Sequence, residues 1–193
     1  MSPIFLLVIL FSCLAMGIPV AISLGLASIS TILLFADQSL LSLAQRFFHT
    51  MQIYPLLAVP FFILAATFMT TGGVAKRMVD FANALVGHFR GGLAMSALLA
   101  CAFFSAVSGS APATVVAVGS VMIGGMISSG YTQRFASGVI CNAGTLGILI
   151  PPSLVMVIYG AVTETSIGNL FIAGMLPGLI LTMAMMATVA VIA

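Results

Sequence analysis

The chain has 193 residues, of which 62% are hydrophobic and only 4% charged, with five Lys or Arg against three Asp or Glu. Soluble domains carry about 25% charged residues, so so few charges cannot cover a water-facing surface. A formal net charge of +2 gives no electrostatic footprint for nucleic acid.

Charge is absent from residues 3–36, 50–75, 91–130, 135–163 and 165–193. A helix needs about 20 apolar residues to cross a bilayer core. Each run therefore holds at least one crossing, and 91–130 holds two short helices. The reading is an all-α polytopic membrane protein whose bulk partner is the lipid bilayer. Residues 1–35 lack the basic start and short apolar stretch of a signal peptide and are read as a first membrane helix. Cys13, Cys101 and Cys141 lie in apolar runs without CxxC spacing and read as small packing residues. Trp is absent, and Tyr54, Tyr131 and Tyr159 are the candidates for interfacial anchors.

In chain order, the first expected helix covers 3–35, about 50 Å if continuous, with a kink or hinge at Gly17 and Pro19. Gly17, Ala21, Gly25 and Ser28 make a small face suited to close packing. Asp37 to His49 reads as an amphipathic connection. Residues 51–71 form a second span, with Pro55 and Pro60 near its start and Thr70-Thr71-Gly72-Gly73 at its end. Residues 74–88 differ from the rest. Lys76, Asp80, Asn83 and Gly87 share one face with Arg77 and His88 nearby, and Val74, Met78, Phe81 and Leu85 line the other. Such a helix lies in a membrane interface. Lys76, Arg77 and Arg90 precede the 91–130 run and Arg134 follows it, which puts both of its ends on one side, the cytoplasmic one.

The 91–130 run divides at Ser108-Gly109-Ser110-Ala111-Pro112. Each arm is about 25 Å long as a helix. A re-entrant hairpin and two ordinary short spans joined by a tight turn both fit that length. Pro112 cannot donate to the Ser108 carbonyl, and Ser105 and Ser108 share a helix face. Pro112 suits the first helical position, with Ser110 or Ala111 capping, so the second arm opens with unpaired N–H groups among residues 111–114. Such groups must be buried in protein or face a wet cavity. The second break is CNAGTLGILIPPS, residues 141–153. Pro151 frees the Gly147 carbonyl and Pro152 that of Ile148, while Asn142 and Thr145 add side-chain oxygens. A proline kink satisfied by neighbouring helices explains one such break. Two uncharged breaks rich in small polar residues point to an ion-coupled site. A proton relay needs an intramembrane acid or His, and the nearest acid, Glu164, reads as a helix end, so Na⁺ is the expected ion. The last span is 167–193, with Pro177 inside it. The sequence stops within an apolar run and reads as an incomplete chain.

The strings FFSAVSGSAPATVVAVGS and GTLGILIPPSLVMVIYG, with MGIPVAISLG near the start, resemble the large membrane (permease) subunit of TRAP (tripartite ATP-independent periplasmic) transporters. The resemblance covers the chain in order but only the N-terminal half of that subunit. It implies one inverted-repeat half: scaffold helices in 1–72, an interfacial arm helix in 73–90 that includes Lys76, Arg77, Asp80 and Arg90, a transport part in 91–166 (hairpin 91–130, broken helix 131–166), and a following helix in 167–193. It implies an elevator-type, sodium-coupled importer of organic acid anions, of the C4-dicarboxylate or sialic acid type, in the bacterial inner membrane. The implied partners are a periplasmic substrate-binding protein, a small four-helix membrane subunit and the C-terminal half of the large subunit. Carried over by motif, the Na⁺ site would use Ser105, Ser108, Gly147, Ile150 and Pro152. Bond counting reaches Ser108 and Gly147 but points to Ile148 where the family pattern points to Ile150 and Pro152. Ser110, Ala111, Pro112, Ala113 and Thr114 at the tip, with Asn142 and Thr145, would face substrate.

Three rival readings stand beside this one. An intramembrane serine protease would need a base beside Ser108, and His49 and His88 both lie in interfacial segments. A channel or structural subunit would show a filter or charged lining, and none is present in the sequence. A sodium-coupled carboxylate carrier with no binding protein would share the hairpin plan.

Overall fold

The computed structural model describes residues 2–35 and 40–192. The described residues are helices and short links without strands, and they form two compact units, one ending at Gln52 and one starting at Ile53. The chain is an all-α polytopic membrane protein. Among the described residues, four helical stretches are long and apolar enough to cross a membrane: Tyr54–Thr71, Ala111–Ser128, Gln133–Thr163 and Ile167–Ile192.

The first unit corrects the expectation of one kinked helix. It holds α1 (Ser2–Ala15), α2 (Val20–Phe35) and α3 (Leu40–Met51). The Phe5 and Phe35 rings meet edge to face at 5.2 Å, whereas thirty residues of continuous helix would hold them about 45 Å apart. The chain therefore turns back on itself. Gly17 takes φ +79°, its N–H bonds the Leu14 carbonyl at 3.0 Å, and the Ile18 N–H bonds that of Cys13 at 3.1 Å. This is a Schellman ending, and Pro19, with no N–H to give, starts the next helix. Ser23, Ala27 and Thr31 are the buried face of α2. Gly17 and Ala21 are exposed and Gly25 and Ser28 half-buried, so the small face lies elsewhere than the spacing from Gly17 suggested. Asp37, the expected start of the amphipathic connection, lies outside the described residues.

The second unit opens with a 3-10 turn at Tyr54–Leu57 that runs into α4 (Ala58–Thr71). Gly73 at φ +73° ends it and turns the chain into α5 (Val74–Val86). The amphipathic character of α5 is as expected, and the face it packs on the neighbouring helix is made of small residues. Ala75, Val79 and Ala82 are buried, while Phe81 is 56% exposed and Leu85 46%. Close packing on the next helix selects the smallest side chains, because apolar burial alone gives little drive where lipid is the alternative. Lys76, Arg77, Asp80, His88 and Arg90 are exposed.

Helix α6 (Gly92–Ser108) is the centre of this unit, with twelve of its 17 residues buried. Alanines 94, 97 and 100, each fully buried, let neighbouring backbones approach. Ser96 donates to the Gly92 carbonyl at 2.7 Å and reaches Asn83 Oδ1 on α5 at 3.1 Å. At Ser108 the chain reverses through Gly109 (φ +59°) and Ser110 into α7 (Ala111–Ser128), forming the helical hairpin. Arms of 17 and 18 residues put Gly91 and Ser129 at one end and the tip at the other. Helix α8 (Gln133–Gly144) then runs back toward that tip, since Gly119 lies against Ile140 and Gly144 against Val115 and Ala111.

The second break is shorter than 141–153. After one non-helical residue, Thr145, the chain continues as α9 (Leu146–Leu149) and is interrupted only at Ile150–Ser153, before α10 (Leu154–Thr163). Gly144 stays helical, and its lack of a Cβ serves close contact with Val115 instead of an unwound backbone. Glu164 caps α10 in the left-handed region at φ 54° and is exposed, the helix end expected of it. Helix α11 (Ile167–Ile192) contains Pro177 and passes the break through two glycines. A Cβ on Gly174 would lie 2.7 Å from the Leu149 carbonyl oxygen, and one on Gly178 3.0 Å from an Ile150 side-chain carbon.

Candidate functional site

The two interruptions read from the sequence come together as one place. The Leu154 N–H donates to the Gly109 carbonyl at 3.0 Å. A Cβ on Gly109 would lie 2.6 Å from the Pro152 carbonyl oxygen, and one on Gly147 2.8 Å from the Ala111 nitrogen. Backbone thus lies on backbone from both sides of the hairpin tip, an approach only glycine permits. The C-terminal ends of α6 and α9 and the N-terminal ends of α7 and α10 converge there. Helix C-termini carry partial negative charge and N-termini partial positive charge.

Hydroxyls fill the inner side of the tip. Ser105, Ser108 and Thr114 are all fully buried. Thr114 Oγ1 lies 3.3 Å from Ser105 Oγ and 3.2 Å from Ser108 Oγ, and donates to the Ser110 carbonyl at 2.9 Å. Thr114 was expected on the substrate side and instead sits among the serines. Ser110 holds the N-cap position of α7 without a side-chain cap bond, and the Thr114 N–H is satisfied by the Ser110 carbonyl. Pro112 has no N–H to offer, so of residues 111–114 only Ala111 and Ala113 are left as candidates for free amides.

Of the five expected cation ligands, Ser105, Ser108 and Gly147 are buried and Ile150 and Pro152 half-buried. Gly147 and Pro152 lie against the tip itself. The Ile150 N–H bonds the Leu146 carbonyl at 2.8 Å, after which the chain extends at ψ 120°. Pro151 and Pro152 supply no N–H to the Gly147 and Ile148 carbonyls. Ile148 is exposed, on the outer side of this turn.

The expected substrate-side residues divide between two cavities. Asn142 and Thr145 are exposed on a recess of about 630 Å³ between α8 and α11, which Arg134 also lines. Asn142 donates an amide N–H to Gly138 at 2.8 Å, and Thr145 its hydroxyl to the Asn142 carbonyl at 2.7 Å. Ser110, Pro112 and Ala113 line a groove of about 330 Å³ against α4, with Thr67 and Thr70 on its far wall. Ala111 is half-buried between tip and break. The arm residues Lys76, Arg77, Asp80 and Arg90 belong to neither cavity.

One residue of this place was missed in the sequence. Ser153 begins α10, is fully buried, and its Oγ has no hydrogen-bond partner. After a Pro-Pro pair a serine reads as a helix cap, and only its burial reveals the unpaired hydroxyl. Among the described residues no three His, Cys, Asp or Glu side chains come together. The oxygens gathered at tip and break are neutral hydroxyls and carbonyls, the donor type that hard cations take.

The family model described as the DctM component of the tripartite ATP-independent periplasmic transporter matches residues 7–193. The chain belongs to that family. It is 61% identical over 171 residues to the C4-dicarboxylate TRAP transporter large permease protein of Pseudomonas aeruginosa, covering 89% of this chain and 40% of that protein. To the protein of the same description from Vibrio cholerae it is 56% identical over 181 residues, covering 93% and 40%. To the sialic acid TRAP transporter permease protein of Haemophilus influenzae it is 37% identical over 171 residues, covering 89% and 28%. The chain thus spans about two fifths of the length of the first two relatives, in line with the N-terminal part expected from its motifs.

Proposed function

We propose that this chain is the N-terminal half of the permease of a sodium-coupled TRAP importer of organic acid anions. The observation that carries the reading is the meeting of the hairpin tip with the broken helix at a cluster of buried, uncharged oxygens. In secondary transporters, interrupted helices supply free carbonyls and helix C-termini for coupling cations, and helix N-termini for anionic substrates. Ser105, Ser108, Gly147, Ile150 and Pro152 would hold a cotransported Na⁺. Ser110, Ala111, Pro112 and Ala113, with Asn142 and Thr145, form the side toward substrate, and Thr114 joins the buried hydroxyls behind them. The high identity to two C4-dicarboxylate permeases favours a C4-dicarboxylate over sialic acid as cargo.

Residues 1–72 act as scaffold, α5 as the arm in 73–90, and residues 91–166 as the moving transport part, in an elevator cycle within the bacterial inner membrane. Site and cycle are completed by the C-terminal half of the large subunit, a small four-helix membrane subunit and a periplasmic binding protein. The tight backbone packing of tip on break supports movement of the two as one body. The exposed basic residues Lys76 and Arg77 on α5 support an interfacial position for the arm.

The test is uptake into vesicles by the full-length permease with its membrane subunit. Labelled C4-dicarboxylate should accumulate only with an inward Na⁺ gradient and the periplasmic binding protein present. Accumulation with the binding protein absent would favour a carrier of the unassisted kind, and accumulation on a pH gradient alone would remove sodium coupling.

A further inference from the structure

Ser153 is anomalous among the buried hydroxyls. Ser23 and Thr31 in the first unit, and Ser96, Ser105, Ser108, Thr114 and Thr182 in the second, each have a partner at 3.3 Å or less. Among the described residues, Ser153 Oγ alone is a buried side-chain oxygen or nitrogen without one. Its position makes this harder to explain by packing. A serine at a helix N-cap ordinarily turns its Oγ to the second or third amide of the helix. Ser153 has the extended backbone of an N-cap, φ −115° and ψ 131°, yet makes no such bond.

Where the residue sits suggests what occupies that oxygen. Its Cα would be 3.4 Å from a Cβ on Gly109. On one side it follows Pro152, whose carbonyl oxygen lies against the hairpin tip, and on the other it precedes Leu154, whose N–H is bonded to the Gly109 carbonyl. It is therefore held at the seam of tip and break, against Gly109, the residue that follows the buried Ser108 at the C-terminal end of α6. A hydroxyl without a partner in a low-dielectric interior is costly, and natural structures keep such groups when a ligand satisfies them. We infer that the Ser153 hydroxyl is a further oxygen ligand of the cation site at this seam, beyond the residues that motif and bond counting supply. The inference rests on the sodium-coupled reading of the same seam. The neutral oxygen donates a lone pair to the cation, its proton stays on it, and no charge is added to a site that already lacks carboxylates.

The two roles of Ser153, ligand and mere orphan, leave opposite marks. If the hydroxyl only lacks a partner, its removal costs no bond and relieves a desolvated polar group, so Ser153→Ala matches or exceeds wild type in stability whatever the salt. If it binds the cation, Ser153→Ala keeps its stability in K⁺ and responds only at higher Na⁺. The experiment is a Na⁺ titration of thermal stability, at constant ionic strength against K⁺, on the full-length permease with its membrane subunit. The arms are wild type, Ser108→Ala, Ser153→Ala and Ser153→Cys, the last of which keeps the volume and replaces a hard oxygen by a soft sulfur. Both Ser153 variants should need about tenfold more Na⁺ for half of the stabilisation, with unchanged Tm in K⁺. If wild type and both Ser153 variants respond alike while Ser108→Ala is blunted, the role of Ser153 is overturned and the sodium site stands. If wild type itself does not distinguish Na⁺ from K⁺, both are overturned. Should Ser153→Ala fold poorly, Ser153→Cys carries the same comparison.

Discussion

The Gly109 carbonyl accepts the Leu154 N–H at 3.0 Å, tying the turn of the α6–α7 hairpin to the first residue of α10. These residues are forty-five positions apart in the sequence. Their bond closes a backbone-to-backbone contact that only glycine at position 109 allows, because a Cβ there would lie 2.6 Å from the Pro152 carbonyl oxygen.

Substitution separates this contact from the conformational need for glycine. Gly109 at φ +59° and Gly17 at φ +79° both end helices in the left-handed region, but around Gly17 nothing lies within 4 Å of an added Cβ. Asn tolerates that region far better than Ala. In the full-length permease, Gly17→Ala should cost about 1–2 kcal/mol and Gly17→Asn much less. Gly109→Asn should be as damaging as Gly109→Ala, each losing about 1–3 kcal/mol through overpacking and most of the uptake. Thermal unfolding in detergent and vesicle uptake read the two. Recovery by Asn at position 109 would mean that the tip does not press on the break.

Thr114 serves three oxygens at once, those of Ser105, Ser108 and the Ser110 carbonyl. Thr114→Val keeps the shape and removes the hydroxyl that Ser105 and Ser108 share, while the Ser110 carbonyl keeps the Thr114 N–H. The expected loss is about 1–3 kcal/mol, with a raised Na⁺ requirement for uptake. Thr114→Ser keeps the hydroxyl and should retain most of both. Equal behaviour of Val and Ser in a Na⁺ titration of uptake would show that the hydroxyl cluster is only packing.

Legibility in the sequence followed the chemistry of single residue types. Pro112, Pro151 and Pro152 have no N–H to give, so the two breaks could be found by counting backbone donors, and the reach of the hairpin followed from the positions of Arg90 and Arg134. The reversal at Gly17 was not legible, because Gly17 with Pro19 two positions on, in an unbroken apolar run, gives the same signal for a kink and for a Schellman turn. The packing face of α5 was not legible for another reason. A hydrophobic pattern sets Phe81 and Leu85 apart as apolar but does not tell lipid contact from helix contact, and it is Ala75 and Ala82 that are buried. Contact between the breaks, and the unpaired Ser153 hydroxyl within it, depend on how α8 returns along α7, which no local pattern encodes.

The α5–α6 seam offers a test of its polar contact. Ser96 joins Asn83 Oδ1 at 3.1 Å while also bonding within its own helix. A double-mutant cycle with Ser96→Ala and Asn83→Ala should give a coupling of about 0.6 kcal/mol, typical of interhelical hydrogen bonds in membranes. Coupling near zero would assign the seam to its alanines alone.

The central claim is that the hairpin tip and the broken helix together enclose a sodium ion. The most direct measurement is a high-resolution experimental structure of the full-length permease in Na⁺, paired with one in K⁺. The account predicts a compact density in Na⁺ alone, surrounded by Ser105, Ser108, Gly147, Ile150 and Pro152 oxygens and touched by Ser153 Oγ. A seam closed by protein groups in both salts, with those oxygens bonded to one another and no density between them, would contradict it.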